Sequence, residues 1–188
     1  MRELILSAVI GLLMPIIGYA KPVAYQLNTA KSDVAVMYEF EGSEVKGSFP
    51  DFTTLVTLDF DQLNNSSIDV TLKTGTVKGG FVFATQALRG PKMLDTDNFP
   101  AIKFKSSRLA QNGNRAQLTG NITVKGITRP ITLNARIFRT VGSATDDQDN
   151  LIVRLSGQIN RNDFGVDGFK SYVGDILKLG ITVQIEKQ

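Results

Sequence analysis

From Asp33 to Ile185 the chain alternates apolar and polar residues with a period of two. Val34, Val36, Tyr38 and Phe40 share one parity, and Val45, Gly47 and Phe49 follow after a break at Gly42. The pattern returns at Val56-Leu58-Phe60, Ile68-Val70-Leu72, Ile102-Phe104 and Leu118-Gly120-Ile122-Val124. It closes with Ile131 to Ile137, Leu151 to Ile159 and Leu177 to Ile185. Alternate residues of a strand point to opposite faces, so each set predicts a strand with one buried side. The stretches Asn64–Ser67, Asn112–Asn114 and Gly126–Pro130 are rich in turn-forming residues and read as turns. About seven to nine antiparallel strands in one unbroken chain predict a sandwich or a closed barrel.

The apolar-parity positions carry no charged side chain, while Lys and Asp fall on the opposite face. A barrel with this pattern has an apolar interior. Catalysis on sugars or phosphates needs carboxylates or cations inside the site, and none stands at mid-strand. The pattern alone leaves two readings open, a core filled by its own side chains or a ligand cavity. Two segments break the alternation. Ala84–Leu94 reads as one or two short helical turns, and Val141–Asn150 as a polar loop. These are the two candidates for a route into a cavity.

The first twenty residues belong to a different pattern. Arg2 precedes an apolar run from Leu4 to Ile17, and Gly18 and Ala20 place small residues at −3 and −1 of a cut after Ala20. The run is shorter than the roughly 20 residues needed to span a membrane. Residues 1–20 therefore read as a cleaved signal peptide for export and 21–188 as a single domain.

Composition removes whole classes of chemistry. The 188 residues include no His and no Cys. Ser-His-Asp and Cys-His catalysis, disulfides and the usual zinc or iron–sulfur ligand sets are all excluded. Ser43-x-x-Lys46 matches a serine–lysine motif by spacing, but in an extended segment those two side chains point to opposite faces. Asp146, Asp147 and Asp149 lack the Gly and Glu of a calcium loop and read as a solvated turn. Phe40, Phe60 and Phe104 lie at buried parity rather than on a basic groove, which argues against nucleic-acid binding. The net charge of +3 adds no case for it.

Three segments together resemble the YceI-like family. They are Ser32–Gly42 with Val45-Lys46-Gly47-Ser48-Phe49; Phe99–Ser107 with Leu118–Leu133; and Ile159-Asn160-Arg161-Asn162-Asp163-Phe164-Gly165 with Val173-Gly174-Asp175. Their order and spacing extend over nearly all of the chain after residue 20. The resemblance implies an all-β fold, an eight-stranded antiparallel lipocalin-like barrel with one or two short helices. It also implies a periplasmic protein that binds or carries a long-chain isoprenoid lipid, such as an isoprenoid quinone or prenyl pyrophosphate, without catalysis and with no required cofactor. The alternatives are a scaffold with a packed core and an accessory redox partner presenting a bound quinone. Transient contact with a membrane or a membrane cytochrome, and a homodimer, are compatible with either role.

The chain departs from the family where many members carry a His. Phe40 stands near the end of the first strand of the alternating series, and Thr85-Gln86-Ala87-Leu88-Arg89 replaces an Asp-x-His-Leu-type run. A head-group or pH-sensitive role for those His residues has no counterpart here. Recognition then falls to apolar side chains, and the residues expected to line the cavity are Phe40, Phe49, Phe60, Leu72, Phe81, Leu88, Met93, Phe104 and Phe164. Phe and Met offer a polarisable wall for a long tail. Arg161, Asp163 and Gly165 are expected to be structural first, as an Arg161–Asp163 pair closing one end of the barrel, with a head-group role second.

Overall fold

The alternating segments fold as strands, each paired antiparallel with its neighbours. A computed structural model describes residues 22–140 and 142–188. The expected signal peptide lies outside the described residues. The strands are β1 (Val23–Leu27), β2 (Asp33–Phe40), β3 (Ser43–Ser48), β4 (Phe52–Leu58), β5 (Ser67–Lys73), β6 (Ala101–Asn112), β7 (Arg115–Val124), β8 (Ile127–Arg139), β9 (Asn150–Asn160) and β10 (Ile176–Lys187). One helix, α1 (Val82–Arg89), falls in the segment that broke the alternation.

Eight of these strands close a ring. The order is β1-β4-β5-β6-β7-β8-β9-β10, and β10 pairs back onto β1 through Leu27↔Ile185. The expected eight-stranded antiparallel barrel is therefore the observed fold. β2 and β3 add a hairpin at one end. β2 pairs with the first half of β10 (Ile181↔Val34), while β1 pairs with its last residues, so β1 and β2 share one edge of β10. Beyond β3 the wall is completed by the chain after β5, through a bridge between Ser48 and Lys78. Gly79 and Gly80 follow immediately. A Cβ on Gly79 would lie 2.7 Å from the backbone of Ala84, and one on Gly80 2.7 Å from the Val45 side chain. Lys78-Gly79-Gly80 thus lets α1 lie tight against the barrel end.

Three local features differ from the sequence reading. β1 is a strand that the alternation did not announce. The turn expected over Gly126–Pro130 is only Lys125-Gly126, both left-handed at φ 48° and 74°, the two-residue hairpin that matches strand twist. Pro130 lies inside β8, opposite Asn121. It is tolerated because β8 pairs with β9 only from Asn134 onward, so no second ladder needs its missing N–H. A bulge between Ser106 and Arg108 also shifts the register of β6 against β7. It moves the inward parity from Ile102 and Phe104 to Leu109 and Gln111.

Candidate functional site

The inward residues of all ten strands do not fill the barrel. They surround a cavity of about 300 Å³, whose wall includes Val36, Val56, Val70, Leu133, Leu155 and Leu179. Gly120 makes room for one of the large rings, because a Cβ there would lie 2.5 Å from the Phe104 ring.

Eight of the nine residues expected to line the cavity do so: Phe40, Phe49, Phe60, Leu72, Leu88, Met93, Phe104 and Phe164. They are spread over its length. Phe49, Met93 and Phe164 are buried in one cluster, with Leu72 and Leu88 packed against it. Phe60 belongs with Tyr25 and Leu151 at the opposite end, and Phe104 with Leu118 and Leu133 between them. Phe81 is not on the wall. As the N-cap of α1 it has extended backbone (φ −145°, ψ 166°), and its ring instead packs edge-on to Phe40, centroids 5.4 Å apart.

The helix places Ala84, Ala87 and Leu88 on the cavity, at the i, i+3 and i+4 positions of one face. Ahead of them, Val82 and Phe83 are 76% and 58% exposed. Phe83 lines the cavity as well, and so does the exposed Phe169. The cavity therefore reaches the surface where these two rings meet, edge to face at 6.2 Å. Phe169 is held at φ 56°, a conformation unfavourable for a bulky residue. It is fixed there by Tyr172 and Val173, whose backbone N–H groups both donate to its carbonyl at 2.9 Å. Exposed Tyr172 extends the same aromatic rim. Sequence patterning missed Phe83 and Phe169. The run Phe81-Val82-Phe83 at a helix start was the available signal.

Two polar groups sit beside this opening. The Tyr38 hydroxyl donates to the Gly79 carbonyl at 2.6 Å, and burial holds its pKa above the ordinary phenol value, so it stays protonated. Lys78 lines the cavity, is exposed, and is in no ion pair among the described residues. Residues 84–94, one of the two routes suggested by patterning, border the opening. Of the other route, residues 142–150 are instead at the far end, tied down through Tyr25 Oη to the Gln148 carbonyl (2.9 Å) and Arg139 Nε to the Asp147 carbonyl (2.7 Å).

Arg161 corrects a second expectation. It does not pair with Asp163, which is exposed. Only 1% exposed, it donates from Nε to the Gly174 carbonyl (3.0 Å), from Nη1 to Val166 and Gly168 (2.8 Å each) and from Nη2 to Val173 (2.9 Å). Its remaining contact is Asp175, at 3.5 Å. A guanidinium has five N–H donors, and four of them are hydrogen-bonded to backbone carbonyls. Arg161 touches the cavity wall, yet its donors are turned mainly to the backbone rather than to the cavity. Its work is to gather the loop from Phe164 to Asp175 that carries Phe169 and Tyr172. Lys125 ties the same end together, donating from Nζ to the Pro91 and Gly165 carbonyls at 3.1 and 3.0 Å.

Among the described residues no group of three or more His, Cys, Asp or Glu is gathered as metal ligands, and no helix is long and apolar enough to cross a membrane.

Comparison with known proteins gives the chain its relatives. The model of the YceI-like domain matches residues 25–186. A UPF0312 protein of Enterobacter sp. (strain 638) is 25% identical over 171 residues, 88% of each chain. The crystal structure of Burkholderia cenocepacia BcnA superposes with a TM-score of 0.75 at 21% identity, over 85% of this chain and 99% of that one. A structure described as a polyisoprenoid binding domain from Saccharophagus degradans, implicated in plant cell wall breakdown, gives 0.66 at 11% identity, over 88% and 99%. At these identities the two structures establish a common fold.

Proposed function

The chain belongs to the YceI-like family, and from that premise we propose that its barrel binds a long-chain isoprenoid lipid, an isoprenoid quinone or prenyl pyrophosphate, and carries it in the periplasm after export. The observation that carries this reading is the apolar cavity that runs the length of the barrel and reaches the surface between Phe83 and Phe169. A tail needs only a dry wall, because each buried methylene contributes about 0.8 kcal/mol. The neighbour from Saccharophagus degradans described as a polyisoprenoid binding domain supports the same ligand class.

The tail lies along Phe60, Phe104, Leu72 and Phe164, and the head group rests at the opening beside Lys78 and Tyr38. Lys78 offers a cation to a pyrophosphate or a donor to a quinone carbonyl. Phe40 and Ala87, at the positions where many relatives carry His, make the inner side of the opening apolar. The role is binding rather than catalysis, with no cofactor of the protein's own. The exposed rim of Phe81, Val82, Phe83, Phe169 and Tyr172 surrounds the place where a lipid must pass, and suits transient contact with a membrane.

The test is organic extraction of protein purified from its own host, followed by mass spectrometry. An isoprenoid lipid near one equivalent per chain is the expected result. Recovery of only straight-chain lipids, or of none, would overturn the ligand class.

A further inference from the structure

The strands β6 to β9 contain no Asp or Glu, and neither do the turns within residues 101–139. On their outer face, three arginines stand in one row. Arg115 is directly opposite Arg136 across β7–β8, and Arg136 is directly opposite Arg154 across β8–β9. Directly opposed residues share a face, with Cβ atoms about 5 Å apart, and like charges so placed repel. No carboxylate relieves the row. None of the three is in an ion pair or a side-chain hydrogen bond with a described residue. Three strand cations elsewhere on the outer wall do meet a carboxylate: Lys46 meets Asp33, Lys73 meets Asp51 and Lys178 meets Glu44, each at 2.7–2.8 Å.

The row is also shaped. Arg115, Arg136 and Arg154 line a shallow surface depression together with Asn112, Gln117 and Asn134. The amides of these three add donors around the guanidinium groups. Arg154 is steadied by the Phe138 ring, whose centroid lies 5.0 Å from its Cζ. A planar guanidinium presents paired N–H groups that match two oxygens of a phosphate. Three such groups converge here with amide donors and no competing acid.

We propose that the Arg115–Arg136–Arg154 row is a binding site for a phosphate-type oxyanion, presented by a lipid head group or by a free phosphate ester. The site is on the outer wall, toward the barrel end opposite the Phe83–Phe169 opening, and does not depend on what occupies the cavity.

Two probes separate the sources. One is flotation with vesicles of neutral phosphatidylcholine, with and without anionic phosphatidylglycerol. The other is titration with inorganic pyrophosphate, followed by NMR of the arginine Nε–Hε signals. Binding to anionic vesicles alone assigns the head-group source, and saturable pyrophosphate shifts assign the free ester. In either case R136Q should weaken binding about fivefold, as expected for one cation at such a surface, and R115Q/R136Q/R154Q should abolish it. K178Q, which removes the same charge from another part of the wall, should leave binding within twofold. Failure of the native chain to bind either probe would overturn the proposal, as would equal losses in K178Q and R136Q. Lipid extracted from the triple variant in native amount would show that the cavity reading stands apart from this one.

Discussion

Arg161 and the Arg115–Arg136–Arg154 row carry the same guanidinium group in opposite settings. Arg161 is buried, hydrogen-bonded to four backbone carbonyls and faced by Asp175 at 3.5 Å. The three outer arginines are exposed, adjacent and without an ion-pair or side-chain hydrogen-bond partner among the described residues. Asp59 stands with Arg161 in this contrast. Only 3% exposed, its carboxylate accepts from the backbone of Gln62 (2.7 Å) and Asp61 (3.1 Å) and from Asn65 Nδ2 (3.0 Å). Where an ion is enclosed, this fold has already used its hydrogen-bonding capacity, and the ion serves structure. Capacity left over on the outer wall is available to something else. Between the two lies the cavity, with a wall apolar along nearly its whole length.

The contrast can be broken most forcefully at Arg161. R161M leaves four carbonyls without their donor and should cost about 3–5 kcal/mol, the range for breaking a buried charged contact. A calorimetric melting temperature checks this. R161K should recover little, since an ammonium has three donors and no planar fork. A near-native melting temperature for R161M would mean that the 164–175 loop is held by other contacts.

At the cavity wall the expected change is in binding more than in stability. F104W and L72W enlarge side chains that face the space, and should weaken isoprenoid binding about tenfold while the fold persists. Unchanged affinity with an unchanged circular dichroism spectrum would remove that residue from the path of the tail.

Asp59 sharpens the contrast through pH. The Asn65 hydrogen bond, and after it the backbone N–H groups of Gln62 and Asp61, hold its pKa below the ordinary carboxylate value. Its contribution is therefore present above the unfolded-state value near 3.9 and is lost as pH falls through the lower folded-state value. D59A should melt below the native chain at pH 7, and the gap should narrow on acidification through that window. A gap independent of pH would assign the loss to packing instead.

The smallest effect belongs to the outer row. R136Q should change stability by less than about 0.5 kcal/mol, with a slight gain at low salt from relieved repulsion. A large loss would reclassify the row as structural.

These settings were unequally legible in the sequence. Parity from Val34 to Ile185 identified most of the wall, because inward and outward residues alternate wherever the strand is regular. It failed where regularity fails. The bulge at Ser106/Arg108 moved Leu109 and Gln111 inward. Pro130 looked like a turn because its lack of a second strand partner depends on the end of β9. The short VAYQL segment of β1 gave too few repeats to announce a strand, although it closes the ring. Arg161 was legible as structural but not in its partners, since backbone carbonyls leave no trace in residue identity. The outer row was invisible for a related reason. Residues 115, 136 and 154 become neighbours only once the strand register is known.

The central claim is that the cavity is occupied by an isoprenoid tail. Its most direct measurement is the electron density inside the barrel in crystals of protein taken from its host without lipid extraction. One continuous, branched density should run from beside Lys78 and Tyr38 past Phe164 and Phe104. An interior holding only discrete waters, or closed by inward movement of Phe104 and Leu72, would contradict it.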